Sequence, residues 1–152
     1  MYRFTLAKRA VFTFICTLLI ACSPAPEFHY ADGSGGRFED YRGKYLLINY
    51  WAEWCKPCIK EIPELNEFAH TYADKAAIMA INWDGIRGEK LTEQAAKLNI
   101  EFDVVVDDIS ALLGQKKPEV LPTTFILDPE GKLVKTLVGP QDLDSLKKAV
   151  GF

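Results

Sequence analysis

The chain has 152 residues, enough for one domain of ordinary size and too few for two well-filled cores. With 49% hydrophobic residues, 26% charged and a mean hydropathy of -0.03, it is neither a disordered acidic tail nor a multi-span membrane protein. A net charge of -3 with no Lys/Arg-rich run supplies no attraction for phosphate backbones, so no nucleic-acid partner is expected.

Residues 1–9 carry Arg3, Lys8 and Arg9 and no acid, and residues 10–21 carry no charge at all. That is the pattern of a secretory signal. As a helix the uncharged run would extend about 18 Å, short of a hydrocarbon core of about 30 Å, so it does not read as a stable span. It ends in Leu19-Ile20-Ala21-Cys22, which resembles the lipobox of bacterial lipoproteins. The resemblance implies cleavage of residues 1–21 and a lipid on Cys22. Residues 22–36, opening with Ser23-Pro24-Ala25-Pro26, are then expected to be a tether and N-terminal extension, with the folded domain over 37–152. Cleavage would remove three basic residues and leave a net charge of -6. Such a body is repelled by anionic headgroups, so it would be held by acyl chains, each buried methylene contributing about 0.8 kcal/mol. Ser23 departs from the aspartate associated with inner-membrane retention, which favours the inner leaflet of the outer membrane, facing the periplasm.

Within 37–152 the apolar, β-branched and aromatic run 44–51 predicts a buried central strand. After a turn over 52–57, Ile59, Ile62, Leu65, Ala69 and Tyr72 recur every three or four positions, so a helix is expected to begin near Cys55. Strands are expected at 77–82 and 102–106, with a helix at 89–98 between them. Residues 124–127 and 132–138 flank the turn Asp128-Pro129-Glu130-Gly131 as a hairpin, and 142–150 reads as a closing amphipathic helix. Strand alternating with helix predicts an α/β fold with a parallel core.

Four cysteines occur. Cys16 falls in the signal and Cys22 would carry lipid, leaving Cys55 and Cys58. No second cysteine pair is present and His29 and His70 lack ligand spacing, so a zinc site is poorly supported. A CxxC loop is also too short to remove much unfolded-state entropy as a passive staple. Reactivity is the better reason for it. At a helix N-terminus, free N–H groups and the macrodipole favour a thiolate, and Lys56 adds a cation. A fall in pKa from about 8.5 to about 7 would raise the thiolate fraction at pH 7 roughly sixteen-fold, while nucleophilicity falls roughly five-fold. The attack rate therefore gains little, and the main effect is on the equilibrium between dithiol and disulfide.

The motif Trp51-Ala52-Glu53-Trp54-Cys55-Lys56-Pro57-Cys58 resembles the active site of the thioredoxin superfamily. Pro63 matches the family's helix kink, and Val120-Leu121-Pro122-Thr123-Thr124-Phe125-Ile126-Leu127-Asp128 resembles its cis-proline segment and following strand. Within the superfamily the chain is similar to TlpA/ResA-like lipoprotein thiol-disulfide oxidoreductases. Asn49 stands where typical thioredoxins place a buried aspartate, and Glu61 stands at the spacing of the glutamate proposed as its substitute. As a plain sequence feature, Glu61 would be a solvated acid near the start of a helix.

The resemblance implies a thioredoxin-like fold, a central mixed sheet flanked by helices, with the segment 89–107 as a TlpA/ResA-type helix-strand insertion. It implies disulfide exchange, with Cys55 as the exposed attacking thiolate and Cys58 as the buried resolving thiol. Trp54, Leu121 and Pro122 would cradle the partner chain. The redox-active Cys55-Cys58 disulfide would serve in place of any separate cofactor. The expected partners are protein thiols and disulfides of the cell envelope, apocytochrome c among them, and a membrane electron donor that re-reduces a reductase. A monomer is expected. Two other readings stay open: a copper chaperone using Cys55 and Cys58 as soft ligands, and a thiol peroxidase. Trp51 and Trp83 read as packing residues, His29 and His70 as surface residues, and Asp84, Asp107 and Asp108 as solvated loop acids.

Overall fold

The computed structural model describes residues 24–152. The segment 1–21 expected to be a signal, with Cys22 and Ser23, lies outside the described residues. Two short strands, β1 (Phe28–His29) and β2 (Gly35–Gly36), form an antiparallel hairpin. A 3-10 helix, Phe38–Tyr41, leads into β3 (Tyr45–Trp51). Helix α1 (Lys56–Thr71), strand β4 (Ala76–Asn82), helix α2 (Gly88–Lys97) and strand β5 (Asp103–Val105) follow. After a second 3-10 helix, Ser110–Leu113, the chain ends with β6 (Thr123–Leu127), β7 (Leu133–Val138) and α3 (Leu143–Val150). Every predicted element is present, with bounds shifted by one or two residues.

The main sheet runs in the order β5-β4-β3-β6-β7. β3, β4 and β5 are parallel, while β6 is antiparallel to both β3 and β7. β3 lies at the centre and buries both faces, which is why its sequence is apolar without alternation. Leu46, Ile48 and Tyr50 point to one face with Met79, Ile81, Phe125 and Leu127. Leu47 points to the other, where Leu65 and Phe68 of α1 meet Leu146 and Val150 of α3. Leu91 of α2 packs with Trp51 and Ala80 on this second face, so all three α-helices share it. The first face is closed by the hairpin and by residues of the two 3-10 helices, Phe38, Tyr41 and Leu113.

The folded body begins earlier than residue 37. Phe28 is fully buried in the core of the first face, edge-on to Tyr30 and Phe38. Backbone bonds from Ala31 N to Val104 O and from Val106 N to His29 O lay this segment along the outer edge of β5. An otherwise open strand edge is thereby covered. Gly36 has no room for a side chain, since a Cβ there would stand 2.5 Å from the Phe28 ring and 2.6 Å from the Tyr30 hydroxyl. The segment expected to be a tether and extension is, from Phe28 onward, part of the packed domain; a hydrophobic residue flanked by polar ones gave no periodicity to signal this.

Candidate active site

Three chain segments converge at one end of the sheet. β3 pairs with β4 through Trp51 opposite Asn82, and with β6 through Tyr50 opposite Thr123. The ends of β3 and β4 and the start of β6 therefore lie side by side, which brings together the CxxC loop, the Trp83-Asp84 turn and the Leu121-Pro122 segment. The Leu121-Pro122 peptide bond is cis, as the family resemblance implies.

Cys55 is the N-cap of α1 and is joined to Cys58 by a disulfide with S–S 2.05 Å. The Cys55 Sγ accepts a hydrogen bond from the Cys58 N–H at 3.3 Å, so one of the helix's free donors is spent on sulfur. Lys56 and Pro57 open the helix with no acid in the first turn, and Pro57 brings no N–H that would need a partner. The expected helix start thus holds. The expected exposure of Cys55 does not: in the disulfide it is 4% exposed, and Cys58 is fully buried. Both pack with Trp51, Ala52, Ala80 and Leu91, so attack on the pair has to come along the narrow rim that Cys55 offers.

Trp54 stands out beside this rim, 63% exposed, while Leu121 is half-buried and Pro122 buried on the opposite side. The Trp54 indole is not free. Its N–H donates to both carboxylate oxygens of Asp84, at 3.0 and 3.2 Å, and its ring meets Trp83 edge-on at 6.3 Å. Asp84 is therefore a partner of the site and not simply a solvated acid. Asp107 and Asp108 are likewise engaged. Asp107 pairs with His29 and Arg87, and Asp108 accepts from the Tyr50 hydroxyl at 2.8 Å and from Ser110 N–H. Burial, with Asp108 beside it, pushes the Tyr50 phenol well above its ordinary range. His29 and His70 are on the surface, as expected, each beside an acid.

Glu61 lies almost one helical turn beyond Cys58 and is only 2% exposed. It is not the solvated acid that its position in the sequence would allow. Its Oε1 accepts from the Asn49 amide at 2.7 Å and its Oε2 from the Gln141 N–H at 2.9 Å. Asn49 also donates to Thr124 Oγ1 at 3.0 Å, which fixes its orientation between two strands. Burial pushes the Glu61 carboxyl up to about 7, and the two hydrogen bonds hold it from rising further. Asn49, where an aspartate was expected in a typical thioredoxin, serves here as a donor that steadies the neighbouring acid. Gln141 was invisible in the sequence because it contributes a backbone N–H.

Glu53, in the loop before Cys55, is held by α2. It accepts from Gln94 Nε2 at 2.7 Å and from Lys97 Nζ at 2.8 Å, and Gln94 in turn accepts from the Asn82 amide. The helix of the insertion therefore braces the active-site loop. Among the described residues no group of three or more His, Cys, Asp or Glu side chains is arranged to hold a metal ion. Among them, too, no helix is long and apolar enough to cross a membrane.

Residues 22–136 match the AhpC/TSA family. The thiol-disulfide oxidoreductase ResA of Geobacillus thermodenitrificans is 34% identical over 137 residues, spanning 87% of this chain and 77% of that protein. ResA of Bacillus cereus is 34% identical over 131 residues, spanning 81% and 72%. The pneumococcal exposed lipoprotein thioredoxin of Streptococcus pneumoniae shares the fold with a TM-score of 0.68 and 28% identity, over 80% of this chain and 94% of that one. With a dithiol motif at a helix N-terminus, a cis-proline opposite it and these relatives, the chain belongs to the AhpC/TSA family and, like the ResA proteins, is a thioredoxin-fold thiol-disulfide oxidoreductase.

Proposed function

We propose that the protein is an envelope disulfide reductase, anchored through a lipid on Cys22 and acting on oxidised proteins of its compartment, apocytochrome c among them. The observation that carries this reading is the Cys55-Cys58 disulfide at the α1 N-terminus, with the cis Leu121-Pro122 segment beside it. In the reduced protein the Cys55 thiolate attacks one sulfur of a partner disulfide. A Cys55-partner disulfide forms and the partner's other sulfur leaves as a thiolate. Cys58, one helical turn away, then attacks the Cys55 sulfur; the intramolecular disulfide closes and the second partner thiolate departs. Two electrons pass to the partner. The Cys58 proton needs an acceptor inside the protein, and in this reading the buried Glu61, three residues on along α1, receives it.

Two influences set the direction. The helix N-terminus stabilises one thiolate and so favours the dithiol. Burial of Cys58 and a neighbouring carboxylate penalise added charge and so favour the disulfide, which makes the dithiol an electron donor. We assign the larger weight to burial, because Cys58 has no water contact at all. The donor must then be recharged, which calls for a membrane-borne thiol reductant. Replacing Cys58 by Ala should accumulate DTT-reversible adducts on Cys55 in the cell envelope; no adduct would overturn the exchange scheme. Equilibration with glutathione decides direction: a potential below about -220 mV supports the donor role, and one near the -120 mV of a strong oxidant refutes it.

A further inference from the structure

We propose that Trp83 is a positioning residue that ties the two walls of the substrate cleft together and thereby sets the affinity for polypeptide disulfides. The proposal rests on the disulfide-exchange reading and adds to it a residue that touches neither sulfur chemistry nor the proton path. Trp83 follows β4 directly and its N–H bonds Trp51 O at 2.7 Å, which seats it at the end of the sheet where the site is built. One wall of the cleft is Trp54, a large ring that would otherwise be free to turn in solvent. It leans edge-on against Trp83 at an interplanar angle of 86°, and its indole N–H is held by Asp84, the next residue. The other wall is Leu121-Pro122. The segment that leads into it is pinned to the same ring: the Trp83 indole N–H donates to Pro118 O at 2.7 Å, and the Lys117 ammonium sits over the ring at 4.4 Å from its centre. Leu121 and Trp83 also pack against the same two hydrophobic clusters.

One half-buried indole therefore meets the first wall in an edge-to-face pair and the approach to the second by its N–H and its face. Edge-to-face and cation–π contacts of this kind are directional, so they fix where the two walls stand and not only that they are close. A cleft whose walls are already in place binds an extended chain without first having to order them. A small disulfide, which needs only the sulfur rim, has little use for either wall.

The experiment compares wild type with Trp83→Leu, Trp83→Phe and Lys117→Met, using insulin with DTT as electron source and, because DTT reduces DTNB directly, the single-turnover rate constant of each pre-reduced, DTT-free protein with the small aromatic disulfide DTNB. Trp83→Leu is expected to raise KM for insulin about tenfold with a much smaller change in kcat, so that the ratio of insulin to DTNB efficiency falls about tenfold. Lys117→Met, an exposed change that leaves the core intact, is expected to lower that ratio two- to fivefold. Trp83→Phe, which keeps a ring against Trp54 but has no N–H for Pro118 O, is expected to recover part of the loss. A second readout needs no turnover. The chain has three tryptophans, so the Leu and Phe variants both retain only Trp51, which is buried, and Trp54. Acrylamide should quench Trp54 more strongly in Trp83→Leu than in Trp83→Phe. Equal losses on both substrates, an unchanged insulin KM, or equal quenching in the two variants would each overturn the proposal. A wild-type protein inert toward both disulfides would instead overturn the exchange reading, and the quenching pair would still decide whether Trp83 holds Trp54.

Discussion

Glu61 gives the sharpest test of the site because its burial has a thermodynamic consequence apart from catalysis. In the folded, oxidised protein its carboxyl is pushed up to about 7, against an ordinary value of 4.5. Between those values the folded chain keeps a proton that the unfolded chain has lost. Stability linked to this group is therefore complete below about pH 4.5, is lost as pH rises toward 7, and levels off above that. At about 1.36 kcal/mol per pH unit, the change between pH 5 and pH 8 is about 2 to 3 kcal/mol. For a body of this size that is roughly 9 °C in Tm. Glu61→Gln removes the titration and retains one carbonyl oxygen for the Asn49 or Gln141 donor. The assay is calorimetry of both oxidised proteins at pH 5 and pH 8, where the cysteines do not titrate. Wild type should lose about 9 °C more than Glu61→Gln over this interval, because every other titrating group is common to the two proteins and cancels. Parallel curves would refute the buried-acid argument. In the reduced proteins the same substitution should remove an inflection near pH 7 from the alkylation profile, and an unchanged profile would remove Glu61 from the proton path.

Asn49→Asp sets a second carboxylate against Glu61 Oε1, now 2.7 Å from the Asn49 amide. One proton must then be shared, so Tm should fall more at pH 8 than at pH 5; a loss independent of pH would mean the two acids do not interact. Phe28→Ala is expected to cost about 3 to 5 kcal/mol in urea unfolding, as for any fully buried aromatic ring, whereas a cost below about 1 kcal/mol would return residues 24–36 to the status of a tether.

The order of elements was legible because periodicity is a local signal: the apolar run of β3 and the three-or-four spacing in α1 reflect faces that each element buries by itself. The dithiol was legible because its chemistry sits within four consecutive residues. What escaped depends on long-range pairing. Phe28 acquires meaning only when it meets Phe38 and the far edge strand, and Asp84, Asp107 and Asp108 look like loop acids until Trp54, Arg87 and Tyr50 are brought to them from 20 to 58 positions away. Glu61 shows the same limit. Its spacing from Cys58 was readable, but one of the two donors that hold it comes from the loop before α3, 80 residues on.

The acid and the sulfurs are placed by strand register as much as by the helix that carries them. Asn49 shares a face of β3 with Leu47, the face on which α1 lies, and its opposite number on β6 is Thr124. A slip of one residue between β3 and its neighbours would exchange the two faces. Asn49 would then enter the cluster of Met79, Ile81 and Phe125, an amide buried without partners, and Glu61 would lose the donor that fixes it. The same slip would move Thr123 away from Tyr50 and carry Pro122 out of line with the CxxC loop. The polar pair inside the core thus penalises the misregistered sheet, and the penalty falls on arrangements in which the cis-proline no longer faces the disulfide. Register and redox site are specified by the same few side chains, and this gives a physical reason for a buried acid to sit in a core that could have been packed with leucine.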